Sequence, residues 1–330
     1  MRTGLTILAM MLLGFAAAAD GVHLKDGRKI EGKVTDLGDR IRIESSFGSM
    51  TIDKRDFDFV SELVHRRTGI LLASGKEYLA VTRLQPVVSE YGFGSIAGLV
   101  AQLRTRPISP LSELVVEAMV TNETSFFRDL HPFESLRTDI LPDVMRRNKD
   151  HRSINIWSAG CSSGQEIYSI AMVIREHFPE LASWSIFMLA TDVSAAVLER
   201  AREGLFGQME VNRGLPAHLL LKYFKQDRVR WEIDDSLRRM ITFKRLNLIE
   251  PWRPLPPMDI VFLRNVLIYF APPTKELVLE RAKGVLRTEG HLLLGGSETP
   301  LMMDVGYERN AIGKTVWYRK KAPCRRDAEV

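Results

Sequence analysis

The period of the apolar positions changes along the chain. Between residues 21 and 52 they come in short alternating runs. Val22 and Leu24, Ile30 and Val34, Ile41 and Ile43, and Met50 and Ile52 are parted by Asp26-Gly27, Gly38-Asp39 and Phe47-Gly48-Ser49. Alternation broken by turn residues predicts a β-meander of three or four strands, too small to be very stable alone. From Asp53 the period becomes helical. Phe57, Val60, Leu63 and Val64 form one apolar stripe, with Asp53 in the place of an N-cap and Gly69 of a stop. Further helices are expected over 76–91, 95–104 and 110–120, so 53–120 reads as a small helical domain.

The segment Ser153–Glu176 is the centre of the second half. Ile154, Ile156 and Trp157 make a short apolar run, Gly160-Cys161-Ser162-Ser163-Gly164 a turn of small residues, and Ile167, Ile170, Ala171 and Ile174 a helical stripe. Strand, glycine turn and helix predict the first unit of an open α/β sheet. Glycine lets the backbone come close to a ligand, and the helix start offers free N–H groups. The turn is neither G-x-G-x-x-G nor a P-loop, which argues against a pyrophosphate cradle. A ligand with a carboxylate and an adenosine, such as S-adenosylmethionine, suits it better; a tight turn with no ligand is the alternative.

A second buried strand, Ser185–Ala190, ends in Thr191-Asp192. A carboxylate there is placed either for two ribose hydroxyls or as the cap of the next helix. Between Phe206 and Phe243 the rhythm breaks, and the alternation of Val229, Trp231 and Ile233, then of Met240, Ile241 and Phe243, predicts a small antiparallel insertion after a helix. The rhythm returns with the strand Asp259–Leu263, a helix over Thr274–Leu286, a strand over His291–Leu294, and a last apolar segment at Thr315–Tyr318.

Composition narrows the class. The chain has 330 residues, 45% hydrophobic and 26% charged, which is ordinary for a globular protein of two or three domains. A net charge of +5 is only mildly basic, and no aromatic-basic array marks a nucleic-acid binder. The two cysteines suggest neither a disulfide framework nor a metal site. In the helical domain, Lys54, Arg55, Arg66, Arg67, Lys76 and Arg83 are either a solvated face or a docking face for an acidic helical partner.

The motifs T-N-E-T-S-F-F-R-D (from Thr121), S-A-G-C-S-S-G-Q-E-I-Y-S-I-A-M (from Ser158), A-T-D-V (from Ala190), N-L (Asn247-Leu248), F-L-R-N-V-L-I-Y-F (from Phe262) and G-G-S-E (from Gly295) come in this order. Together they resemble the CheR family of chemoreceptor methyltransferases, from about Thr51 to Tyr318. The resemblance implies a doubly wound S-adenosylmethionine-dependent methyltransferase fold (α/β) over 121–320. A small β-subdomain is inserted at about 206–243, and the last strand is antiparallel. A small all-α N-terminal domain (53–120) and the short β-meander extension (20–52) come before it. The implied activity is methyl transfer from S-adenosylmethionine to glutamate side chains of chemoreceptors, the methyl-accepting chemotaxis proteins. The partner would be their cytoplasmic helical domain; neither nucleic acid nor metal is expected. A methyltransferase acting on another protein or a small molecule, and a non-catalytic cofactor-binding module, are the alternatives.

The resemblance also implies the site. Asn122, Thr124 and Arg128 would line the cofactor pocket from the linker, Glu166 and Asp192 would bind the cofactor, and Asn247, Leu248, Asn265 and Val266 would flank its adenine and methionine parts. Arg128 and Tyr269 would lie nearest the methyl group as catalytic residues. On pattern alone Arg128 is as well read as an ion-pair partner of Asp129 or Glu123, and Tyr269 as a packed aromatic. Gln165 and Ile167 replace a Glu and a Pro common in the family.

Met1–Ala19 contradicts a cytoplasmic enzyme. Arg2, an apolar run and Ala-Ala-Ala-Asp look like an export signal too short to span a membrane. The cytoplasm is the expected location. The functional protein is expected to begin near Met50, or to carry 1–49 as an unprocessed fusion, with 321–330 as a tail.

Overall fold

The computed structural model describes residues 21–23, 29–45, 48–73, 75–298 and 307–320; the apolar segment 1–19 and the tail 321–330 lie outside them. The described residues form two compact units. One runs up to Phe59 and takes in the residues after 74 as far as Arg106; the other joins Val60–Ala73 to the chain from Pro107 onward.

In the first unit, β1 (Gly21–His23), β2 (Lys29–Asp36), β3 (Arg40–Ser45) and β4 (Gly48–Asp53) form an antiparallel sheet in sequence order. The turn at Gly38 closes through Leu37 N–H donating to Arg40 O and Gly38 N–H to Asp36 Oδ1. Ile41 faces Ile52 in register, and both are buried. Helix α1 (Lys54–Thr68) follows β4 at once, and its later turns belong to the second unit. Helix α2 (Glu77–Glu90) packs on β3 and β4, and α3 (Ile96–Thr105), capped by Ser95, packs on β4. A meander with too little core of its own is thus covered by helices that bury Val81, Leu84, Leu99 and Leu103.

The second unit opens with the end of α1 and with α4 (Pro110–Met119), which starts with a reciprocal Ser109–Ser112 capping box. Then come α5 (His131–Ser135), a π turn at Leu136–Ile140, and α6 (Leu141–Arg147). The α/β pattern follows: β5 (Ser153–Ala159), α7 (Gln165–His177), β6 (Ser185–Asp192) and α8 (Ala195–Glu203). An insertion carries β7 (Leu205–Gly207), α9 (Gln208–Asn212), α10 (Ala217–Tyr223), β8 (Phe224–Asp227), β9 (Arg230–Ile233) and α11 (Asp235–Arg238). The chain returns as β10 (Ile241–Arg245), β11 (Met258–Leu263), α12 (Pro272–Val285), β12 (Leu286–Leu294), β13 (Tyr307–Ile312) and β14 (Thr315–Lys320).

The main sheet has the order β10-β6-β5-β11-β12-β14-β13. The first five strands are parallel, and β14 runs antiparallel to both β12 and β13. All of β11 is buried, as expected of a central strand covered on both faces. A single cluster joins Ile154, Ile156, Met188, Ile260 and Phe262 of the strands to Ile167, Ile170 and Ile174 of α7.

The insertion is smaller than the sequence pattern suggests. Its three-stranded sheet, β7-β9-β8, ends at Ile233. The Met240–Phe243 alternation instead supplies β10, the edge strand of the main sheet, parallel to β6. Alternation marks a strand with one exposed face, and an edge strand of a parallel sheet satisfies that as well as a hairpin does. Strand β13 was not anticipated; its consecutive polar residues Glu308-Arg309-Asn310 suit an outermost strand. Among the described residues no helix is long and apolar enough to cross a membrane.

Candidate functional site

Strand β5 pairs with β6 on one side and β11 on the other, so the direction of winding reverses there. Such a switch point opens a crevice at the carboxyl ends of the strands. A cavity lies at this place. Its wall takes residues following each of these strand ends: Gly160–Ser162 after β5, Asp192 and Val193 at the end of β6, Leu246–Leu248 after β10, and Arg264–Val266 after β11. The linker after α4, from Val120 to Thr124 with Arg128, closes another side, and Thr68 and Ile70 a third. Ile70 forms an antiparallel bridge with Phe270, and Leu71 N–H donates to Tyr269 O at 2.8 Å. Every residue expected at the site lines this one cavity: Asn122, Thr124, Arg128, Glu166, Asp192, Asn247, Leu248, Asn265, Val266 and Tyr269.

The turn after β5 is shaped by close approach. Gly160 has φ +73°, and a Cβ there would lie 2.5 Å from Val266 Cγ2, so glycine lets the first turn pass under the residue following β11. Gly164 (φ +94°) starts α7 from the left-handed region, and Glu166 stands in that helix's first turn.

Asp192 does not cap the next helix; Ser194 does, accepting from Val197 N–H. Asp192 instead holds two backbone groups, Ser162 N–H on Oδ2 (2.9 Å) and Ser194 N–H on Oδ1 (3.0 Å). Its burial raises the carboxyl pKa, and the backbone donors at Ser194, Ser162 and Val193 work against the rise. Burial likewise pushes the Cys161 thiol well up, which leaves it inert as a nucleophile.

Arg128 makes neither of the ion pairs considered from the sequence. Its Nη1 donates to the backbone carbonyl of Glu123 at 3.1 Å, while Asp129 pairs with Arg264 and the Glu123 carboxylate with Arg213. Tyr269 is half-buried in a short 3₁₀ turn, Leu267–Tyr269. The Asn247 amide is engaged by the protein, donating to Arg67 O (2.7 Å) and Glu250 Oε1 (3.0 Å). Asn122 accepts Ser162 Oγ–H on its backbone carbonyl, but its side-chain Nδ2 is buried with no partner among the described residues.

Two residues of the site carry more than the sequence revealed. Arg264, whose side chain is 1% exposed, pairs with Glu166 at 2.9 Å and Asp129 at 2.7 Å. Glu298, buried, gathers the N–H groups of Asn265, Ile268 and Gly295 and so fixes the turn that carries Asn265, Val266 and Tyr269. A charged residue at the end of an apolar run, and a Glu after Gly-Gly-Ser, were the only signals for them.

Residues 122–310 match the family described as CheR methyltransferase, SAM binding domain, and residues 55–119 match its companion, the CheR methyltransferase all-alpha domain. The chain is 36% identical over 277 residues to chemotaxis protein methyltransferase 1 of Pseudomonas aeruginosa, covering 82% of this chain and 100% of that relative. It is 37% identical over 254 residues to chemotaxis protein methyltransferase Cher2 of Pseudomonas putida, covering 76% of this chain and 92% of that one. A chemotaxis protein methyltransferase of Vibrio parahaemolyticus is 38% identical over 255 residues, with 76% and 91% covered.

The cavity fits S-adenosylmethionine on its own terms. It offers carboxylates and amide donors in one wall, and the buried Asn122 Nδ2 is a donor with no acceptor among the described residues. With that cavity at the switch point and both family segments in place, the chain belongs to the CheR methyltransferase family and is an S-adenosylmethionine-dependent methyltransferase of chemotaxis.

Proposed function

We propose that this chain methylates glutamate side chains of chemoreceptors, giving methyl esters, and that it acts in the cytoplasm on the receptors' cytoplasmic helical domain. The observation that supports this reading is that Asp192, Glu166, Arg128 and Tyr269 line a single cavity. S-adenosylmethionine, when bound, supplies a methyl group on a sulfonium sulfur.

The chain's own residues would then hold and orient. Asp192, fixed by two backbone donors and poorly solvated, would gain from accepting two ribose hydroxyls. Glu166, held by Ser158 Oγ and Arg264, would serve the cofactor together with Asn122 and Thr124. Asn122 Nδ2 would find its acceptor there. Because the Asn247 amide is already engaged, Asn247 and Leu248 would flank the adenine by packing, with Asn265 and Val266 along the methionine part.

A substrate glutamate, with a pKa of about 4.3, is ionised at neutral pH and needs no general base. Arg128 would orient that carboxylate through its fork of donors, and Tyr269 would add a hydroxyl hydrogen bond. Positioned reactants in a dry site lose several kcal/mol of barrier. The ester removes one negative charge from the receptor, which changes the repulsion within a charged helical bundle.

The test is transfer of a labelled methyl group from S-adenosylmethionine to receptor-rich membranes. Base-labile label on the receptor, lost in Asp192→Ala and in Arg128→Ala, is the expected result. Cofactor binding without receptor labelling would overturn the receptor assignment in favour of another acceptor.

A further inference from the structure

The segment that brings Arg128 to the cavity has an unusual backbone. Phe127 (φ 46°), Asp129 (φ 67°) and Leu130 (φ 49°) are all in the left-handed region, and none is glycine. Leu130, with ψ −55°, is the centre of a three-residue turn in which His131 N–H donates to Asp129 O at 2.5 Å. This is the rare positive-φ γ-turn, which is strained. Such conformations persist only where the surroundings over-determine them.

Three anchors hold the segment. Phe126 is fully buried, edge-on to Phe206 and Phe224. Phe127 N–H donates to Ser169 Oγ of α7 at 3.0 Å. The third is Arg264, whose Nη2 donates both to the carbonyl of Arg128 (3.1 Å) and to Asp129 Oδ2 (2.7 Å), while its Nη1 reaches Glu166 Oε2 (2.9 Å). The guanidinium lies over the Phe133 ring at 5.9 Å, and its Nε is buried with no partner among the described residues. A cation is therefore kept out of water in order to join the residue following β11, the first turn of α7 and the two residues 128 and 129.

We propose that Asp129 and Arg264 are positioning residues that act as a latch. They hold the strained Phe127–Leu130 backbone in the shape that turns Arg128 into the cavity, and they tie that shape to the Glu166 carboxylate. The proposal rests on the reading of Arg128 as a substrate- and cofactor-facing residue. Asp129 is not in the cavity wall, so its effect on the reaction passes through Arg264 and the backbone at Arg128.

Asp129 carries the test, because its side chain is 54% exposed and its removal leaves the core intact. An Arg264 variant would strand Glu166 without its cation and risk the fold itself. The full chain is compared with Asp129→Ala and Asp129→Asn by thermal midpoint, S-adenosylhomocysteine binding, amide hydrogen exchange over 126–132, and methyl transfer to receptor-rich membranes. For Asp129→Ala only a small fall in midpoint is expected, because Arg264 keeps Glu166 and the Arg128 carbonyl, with faster exchange confined to 126–132. A misplacement of about 1 Å can cost a hundredfold in rate, so a fall in kcat of roughly tenfold or more is expected, with KM for S-adenosylmethionine raised no more than about threefold. Asp129→Asn, which keeps an acceptor for Arg264, should recover part of the loss.

Wild-type kcat together with wild-type exchange in Asp129→Ala would overturn the latch. So would a fall in kcat with protection lost throughout the chain, since that marks a merely structural role. Failure of the proposed function looks different, because the unsubstituted chain would then bind S-adenosylhomocysteine without labelling the receptor; the exchange measurement alone would decide the latch in that case.

Discussion

At the amino ends of the parallel strands, charges meet charges. Asp259, 1% exposed, accepts from the Asn148 side chain and Asn155 N–H and lies 3.4 Å from Arg287. Asp143 gathers Arg147 Nε at 3.1 Å and His291 Nε2 at 3.0 Å, with Arg319 at 4.0 Å. Burial would raise the Asp143 pKa, but His291, Arg147 and Arg319 hold it below the ordinary value. At the carboxyl ends Asp192 meets backbone N–H groups and, among the described residues, pairs with no cation, and burial raises its pKa. Phe127, Asp129, Leu130, Ser162 and Asn265 all take left-handed backbone near that edge; elsewhere, among the described residues other than glycine, only Arg152, Arg228 and Glu289 do. One edge surrounds its buried carboxylates with basic side chains. The other concentrates strained backbone, as a site that must accept a ligand does.

The contrast is open to direct test. Asp143→Ala should cost the most, about 3 kcal/mol in urea unfolding, because Arg147 and His291 lose their shared acceptor in a mostly buried setting. S-adenosylhomocysteine affinity of the folded variant should not change, and a parallel loss of affinity would dissolve the distinction between the edges. Asn122→Leu should do the reverse. Removing a buried donor with no partner should leave stability equal or higher, while affinity falls about tenfold, the worth of one good hydrogen bond. A variant that binds normally would show that the amide does not face the ligand.

The smallest effect is a sensitivity to acid. Burial holds the His291 imidazole below its ordinary value of 6.5, although its contact with Asp143 pulls the other way. Arg147 and Arg319, which face the same group, add to the lowering. A lowered folded pKa means that the unfolded chain takes the proton first, so this stability is present above 6.5 and is lost as pH falls through and below it. His291→Gln should flatten the decline of the urea midpoint between about pH 7 and pH 5. A variant whose decline parallels that of the unsubstituted chain would remove His291 from the account.

What the sequence made legible follows from the range of the interactions. The β5–turn–α7 unit is encoded by neighbours, since apolar run, glycines and helical stripe lie within Ser153–Glu176. The cavity residues were found through motifs, each a short local string. The role of Arg264 was not legible, because its partners Glu166 and Asp129 lie 98 and 135 residues away and burial of a guanidinium has no local pattern. The side-chain role of Asn247 was hidden for the same reason, as it depends on Arg67, 180 residues earlier. The Met240–Phe243 strand was visible, but its sheet was not, since alternation reports one exposed face and says nothing of the partner.

The tie between Ile70–Leu71 and Tyr269–Phe270 also bears on how the protein can be divided. The family segments suggest a cut near residue 120, yet Thr68 and Ile70, which precede it, form part of the cavity wall, and Leu71 holds the backbone of Tyr269. A fragment starting at Thr121 would therefore be an enzyme with one wall missing. Residues 60–73 work as a built-in wall of the cavity, and an exchange of the helical segment between relatives should fail unless they travel with the sheet.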